Sequence, residues 1–111
     1  MAVFFDEEIH SISDLDNATE AELKHTPNVR VIDHPDSQVL YITIGLNGLS
    51  HPQTEEHFIQ WIRVYIADEL FWDIRFDPGD SPEDSVEIRR TPDVVRILAR
   101  CNLHGIWETI Y

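Results

Sequence analysis

Apolar positions in this chain alternate more often than they recur at helical spacing, and turn residues punctuate the alternation. Val29–Asp33 and Gln38–Ile44 are rich in β-branched and aromatic residues and flank the turn-like His34-Pro35-Asp36-Ser37. Residues 45–56 carry Gly45, Asn47 and Gly48, then Ser50-His51-Pro52, and read as a loop. His57–Ala67 is the clearest alternating run. Phe58, Ile62, Val64 and Ile66 would line one face, interrupted by Gln60, with His57, Trp61, Arg63 and Tyr65 on the other. Leu70–Phe76 follows and is ended by Asp77-Pro78-Gly79-Asp80-Ser81-Pro82; Ser85–Arg90, Val94–Cys101 and Ile106–Tyr111 complete the set. About seven short strands at this spacing predict an all-β, antiparallel sandwich.

Residues 1–22 differ in character. They are acidic, and Asp14-Leu15-Asp16-Asn17-Ala18-Thr19-Glu20-Ala21-Glu22 places cap-like residues ahead of helix formers, which predicts an arm with one short helical turn. His25-Thr26-Pro27-Asn28 ends it, because proline forces the preceding residue into extended backbone. The expected division is therefore an acidic arm over 1–22 and a sandwich domain over 23–111.

Composition narrows the function classes. With 111 residues and 42% apolar content the chain can bury a core. Its formal charge of −13 argues against nucleic acid, whose phosphates demand Lys and Arg clusters. No stretch approaches the ~20 apolar residues of a membrane-spanning helix. The first residues, Met1 to Glu8, lack the basic and apolar regions of a secretory signal, so a cytoplasmic location is expected. One cysteine excludes an intrachain disulfide.

That cysteine has a neighbour. Cys101 and His104 stand three apart where the last long strand ends, and Gly105 permits a tight turn. His51 and His57 bracket a proline-started loop, and His25 opens the strand region. Each signal alone is weak, since a lone cysteine is most often a small buried apolar residue and a surface histidine usually needs no special role. Strand-end loops converge at one edge of a sandwich, however, so all these side chains could meet. Structural zinc usually takes two or more cysteines, and blue copper takes two histidines, one cysteine and usually a methionine, whereas the only methionine here is Met1. Four imidazoles and one thiolate suit a metal of higher coordination that keeps one position open. Iron fits best, because it also cycles between two oxidation states.

These residues lie in blocks that resemble the superoxide reductases, the neelaredoxin and desulfoferrodoxin group. The blocks are Lys24-His25-Thr26-Pro27, the run from Ser50-His51-Pro52 to His57-Phe58-Ile59-Gln60-Trp61-Ile62, Pro78-Gly79-Asp80, and Cys101-Asn102-Leu103-His104-Gly105-Ile106-Trp107. Order and spacing agree over about residues 16–108. The resemblance implies an immunoglobulin-like sandwich of seven strands. It also implies a mononuclear non-haem Fe2+/Fe3+ centre with His25, His51, His57 and His104 equatorial and Cys101 axial, and one-electron reduction of superoxide to hydrogen peroxide. A rubredoxin-like electron donor and a homodimer or homotetramer come with it as expectations.

The chain departs from the family pattern at two points. Gln53 stands where Met or Asn is common and is expected to touch no ligand, and Leu23 stands where many members have a glutamate that looks like a sixth ligand of the oxidised state. With one cysteine the chain is expected in the one-iron class, without the four-cysteine module of some relatives.

Lys24, the only lysine, lies beside a ligand position, and the resemblance makes it the cation that guides the anionic substrate on its final approach. His10 and His34 are expected in solvent, Trp61, Trp72 and Trp107 in core or interface, and Glu55-Glu56 on a solvated loop face. Two other readings stay open: a non-catalytic zinc- or copper-binding module on the same scaffold, and a superoxide dismutase, which would release dioxygen as well as peroxide.

Overall fold

Strand propensity and alternation set the elements. The computed structural model describes residues 7–111; the predicted arm is covered from residue 7 onward. Its elements in chain order are β1 (Ile9–His10), a 3-10 turn (Leu15–Asn17), α1 (Glu20–His25), β2 (Pro27–Asp33), β3 (Ser37–Ile44), β4 (Ile59–Ile66), β5 (Glu69–Arg75), β6 (Glu83–Arg89), β7 (Val95–Cys101) and β8 (Gly105–Ile110). Two sheets form, β1-β8-β7-β4-β5 and β2-β3-β6. All pairings are antiparallel except that of the two-residue β1, which lies parallel to β8. The sandwich predicted from the pattern is thus present, and each of its seven long strands overlaps a predicted one. No helix among the described residues is long and apolar enough to cross a membrane.

Burial follows the pleat. Leu40, Ile42, Val86 and Ile88 of the smaller sheet face Ile62, Val64, Val95, Ile97 and Ala99 of the larger one, and Cys101 lies at one margin of this core. Fully burying a side chain of that size contributes about 1.5–3 kcal/mol. A smaller cluster of Trp61, Tyr65, Leu98 and Ile106, packed by Ile9, covers the outer face of the larger sheet.

The strand that carries the site's entry departs from simple alternation. In β4, Ile59 pairs with Cys101 but Trp61 pairs with Arg100, so Gln60 is an extra residue in the ladder. Such a bulge shifts the parity of what precedes it. Ile59, rather than the expected Phe58, is therefore the fully buried residue beside Ile62. This is the physical reason Gln60 broke the pattern.

The arm delivers α1. Thr19 caps it by accepting from the Glu22 backbone N–H at 3.1 Å, while the Glu22 carboxylate accepts from the Thr19 N–H at 2.9 Å. Thr26 and Pro27 then turn the chain into β2, leaving His25 in the helix's last turn. The loop after β3 seats against this end, with Gly45 N–H donating to the Thr26 carbonyl at 3.0 Å and Leu46 N–H to the Leu23 carbonyl at 2.9 Å. Gly45 has φ of +116°, and a Cβ there would lie 2.1 Å from the Leu49 carbonyl oxygen, so only glycine fits. Thr19→Ala is expected to cost about 1 kcal/mol. Thermal unfolding would show it, and an unmoved transition would mean tertiary contacts alone hold α1.

Candidate metal centre

Four loops and element ends meet at one margin of the sandwich: the end of α1, the loop before β4, the end of β7 and the turn into β8. They bring His25, His51, His57, Cys101 and His104 together. The four imidazoles form a closed ring. Neighbours meet edge to face, His25–His51 at 4.7 Å, His51–His57 at 4.6 Å, His57–His104 at 5.0 Å and His104–His25 at 4.8 Å between centroids, with interplanar angles of 66–77°. His25 and His57 lie across the ring at 5.9 Å.

Hydrogen bonds fix which nitrogens face inward. His25 Nδ1 donates to the Ala21 carbonyl at 2.6 Å, and His51 Nδ1 donates to the Pro52 carbonyl at 2.6 Å. A carbonyl only accepts, so each Nδ1 carries the proton and each Nε2 keeps a lone pair. His25 Nε2 lies 3.2 Å from His104 Nδ1, and His57 Nε2 lies 3.2 Å from the same atom. Two nitrogens at right angles about a common ion, each ~2.1 Å from it, would stand ~3 Å apart. Cys101 Sγ is 3.7 Å from His104 Nδ1. The donor atoms of His25, His57, Cys101 and His104 all fall within 4.8 Å of one another, a set that does not include His51. His51 joins through its ring contacts, and its buried Nε2 has no hydrogen-bond partner. An orphaned buried lone pair is costly in an apolar site and is what a metal would satisfy.

Electrostatics favour neutral imidazoles. Burial pushes His25 down, and pushes His51 down to about 4, despite the opposing hydrogen bonds to Ala21 and Pro52. His57 is lowered too, by burial first and by His104 second. Cys101 is fully buried and its thiol is pushed up by that burial. The backbone N–H groups of Leu103 and His104 oppose this, as does the charge of Arg100. A cation that displaced the thiol proton would thus meet a sulfur already supplied with donors. Four imidazole nitrogens and one sulfur fit a transition metal and do not fit the oxygen-seeking calcium or magnesium.

Three residues with no predicted role hold this frame. Asn102 accepts from the Phe58 N–H at 3.0 Å and donates to the Glu56 carbonyl at 3.0 Å, clasping the His57 segment to the Cys101–His104 turn. Gln53, expected to touch no ligand, sits beside His51 and raises its basicity against the burial effect. Its Oε1 also accepts from the Ile59 N–H at 2.7 Å. Trp107 stacks on His25 at 5.3 Å and donates its Nε1–H to the His104 carbonyl at 3.1 Å. His10, expected in solvent, is half-buried and stacks on Trp107 at 4.9 Å, whereas His34 is exposed. Sequence could not assign these roles, because the Asn102 bonds reach across 44 and 46 positions. Asn102 does lie between Cys101 and His104, which is the one local hint.

The remaining residues singled out in the sequence flank His25 and His57 along the chain. Lys24 is partly exposed and its Nζ lies 2.8 Å from Glu20 Oε1. Leu23 is half-buried, and Glu22 is committed to the helix cap. Glu55 and Glu56 are exposed.

Residues 17–110 match the model of the desulfoferrodoxin family, which spans every side chain of the ring and Cys101. The chain belongs to the desulfoferrodoxin family. A relative from Methanocaldococcus jannaschii is 30% identical over 102 residues, covering 87% of this chain and 88% of its own. A desulfoferrodoxin homologue of Archaeoglobus fulgidus is 36% identical over 90 residues, covering 81% of this chain and 65% of its own length. The solved superoxide reductase (neelaredoxin) of Ignicoccus hospitalis superposes with a TM-score of 0.75 over 93% of this chain and 91% of that one, at 21% identity. That last likeness confirms the desulfoferrodoxin sandwich. Within the desulfoferrodoxin family, the ring of imidazoles over a buried thiol is the feature of this chain that can do chemistry.

Proposed function

We propose that this chain is a superoxide reductase whose single iron would be held by His25, His51, His57, His104 and Cys101. The single observation that carries this reading is the closed imidazole ring with a buried sulfur within 4.8 Å of the donor nitrogens of His25, His57 and His104. A Pyrococcus abyssi relative, 29% identical over 96 residues, bears the name superoxide reductase, which supplies the substrate class. When bound, iron would supply the transferable electron. The reaction balances as superoxide plus one electron plus two protons giving hydrogen peroxide.

The chain's own residues do the rest. His25 and His51 are oriented by the Ala21 and Pro52 carbonyls, which leaves the Nε2 lone pair of each available to a metal. The Leu103 and His104 N–H groups stabilise the thiolate. Lys24 offers positive charge close to the site in a chain of −13, whose distant charges are screened beyond about 8 Å at physiological salt. Such a chain can work as a soluble cytoplasmic protein. A small rubredoxin-like redox protein would return the electron, and a homodimer or homotetramer would be the working assembly.

Protein purified without oxygen is expected to contain about one iron per chain and to become coloured on oxidation. Under a superoxide flux it should consume one donor electron per superoxide and evolve no dioxygen. Dioxygen evolution without donor consumption would establish a dismutase instead. A colourless, zinc-loaded protein with no turnover would establish the non-catalytic module.

A further inference from the structure

Lys24 is the only lysine in the chain, and it is not free. Its ammonium lies 2.8 Å from the carboxylate of Glu20, four residues earlier in α1. This pairing is built into the helix. Glu ahead of Lys at this spacing is the favourable orientation, with the acid in the first turn and the base in the last, where the helix dipole prefers them. The Glu22 carboxylate, on the same turn, is occupied by the cap and does not compete for Lys24. Lys24 in turn holds the Glu20 carboxyl below its usual range, so the partner stays charged. At several ångströms, opposite charges 2.8 Å apart act as a weak dipole rather than as a cation.

We propose that Glu20 is a built-in counter-ion that restrains Lys24, so that a small anion approaching the metal meets the full charge of Lys24 only when this pair opens. Glu20 is then a positioning residue acting through Lys24, and it sets how strongly the site draws anions. The inference rests on the reading of the ring as an anion-accepting metal site. It adds a device that opposes capture, in a protein whose overall charge already opposes it.

The test is a double-mutant cycle of Glu20→Gln and Lys24→Gln in iron-loaded protein, read in three ways. One is the affinity for azide, followed by the visible spectrum. Another is the second-order rate with superoxide. The third is the rate at which an amine-reactive ester labels Lys24, mapped by peptide mass in loaded and metal-free protein. Glu20→Gln is expected to raise azide affinity and superoxide rate about two- to threefold at low salt, with the gain fading above ~0.5 M salt. Labelling of Lys24 should quicken by a similar factor. In the Lys24→Gln background the substitution should change neither azide affinity nor rate. Thermal unfolding within a few degrees of the parent would show that the helix persists.

The inference is overturned if Glu20→Gln leaves azide affinity and labelling unchanged. It is equally overturned if the gain survives without Lys24, since Glu20 would then act on the anion directly. A parent protein that binds azide but does not consume superoxide would sink the proposed activity alone. The labelling and azide readings would still decide the part of Glu20.

Discussion

Cys101→Ser is expected to abolish the sulfur-to-metal charge-transfer absorption of the oxidised protein and to lower superoxide turnover by at least tenfold. Cys101 ends β7 and is fully buried, opposite Ile59 on one side and Gly105 on the other. Among the described residues no other sulfur can replace it, because the chain has one cysteine and Met1 lies outside them. Serine keeps the shape but offers an alcohol that stays protonated at neutral pH, so it cannot give a soft anionic donor. The Leu103 and His104 N–H groups that point at the sulfur would face a smaller, harder atom. The buried hydroxyl is expected to cost about 1–3 kcal/mol of stability unless it recovers those bonds. Histidine ligation should survive, so the variant should still bind metal. A variant that kept both the absorption band and full turnover would remove Cys101 from the metal and with it the proposed centre.

Metal-free protein is expected to lose stability as the pH falls from about 6.5 towards 4, and bound metal should delay that loss. The cause is His51, buried and held neutral with its pKa lowered to about 4. In the unfolded chain the same imidazole protonates near 6.5. Between the two values the unfolded state binds a proton that the folded state refuses, so stability rises with pH across this window. Its full contribution is present above 6.5 and is lost once the pH reaches about 4, at most about 3 kcal/mol for this group. His25 and His57, lowered in the same direction, deepen the loss. Metal binds neutral imidazoles in the folded state and so adds stability by mass action until acid displaces it. Urea midpoints measured at several pH values, with and without metal, would show two diverging curves. The Glu20 and Asp33 carboxyls, both lowered, add to the loss only as the pH falls through their unfolded values of 4.5 and 3.8, so the upper part of this window reports the imidazoles. Flat midpoints from pH 7 to 5 in the metal-free protein would mean that His51 is solvated and protonates freely.

Much of the fold was legible because a strand's side chains point alternately to opposite sides, and β2, β3, β6, β7 and β8 keep that period. It became illegible where geometry breaks the period. The extra residue at Gln60 moves Ile59 into the core in place of Phe58, and the break in alternation at Gln60 marks the place without saying which neighbour turns inward. The arm likewise showed cap residues, but it was contact between α1 and the 45–46 loop that decided where His25 would sit. At the site, the residue types and the blocks that hold them could be read directly. The clasp by Asn102, the seat of Gln53 beside His51 and the stack of His10 on Trp107 could not, since each joins segments brought close only by folding or by a loop's curvature.

What the amino-acid order by itself determined is the chemical inventory: one thiol, four placed imidazoles, one lysine and a strand pattern compatible with a sandwich. Those properties are local, because residue type and spacing suffice to state them. Tertiary structure alone decided that the four imidazoles close into a ring beside Cys101, whereas the contacts of His25 with Ala21, His51 with Pro52 and Lys24 with Glu20 are local to their own segments. Distances of a few ångströms between residues up to 79 positions apart depend on how two sheets pack, and packing is a property of the whole chain.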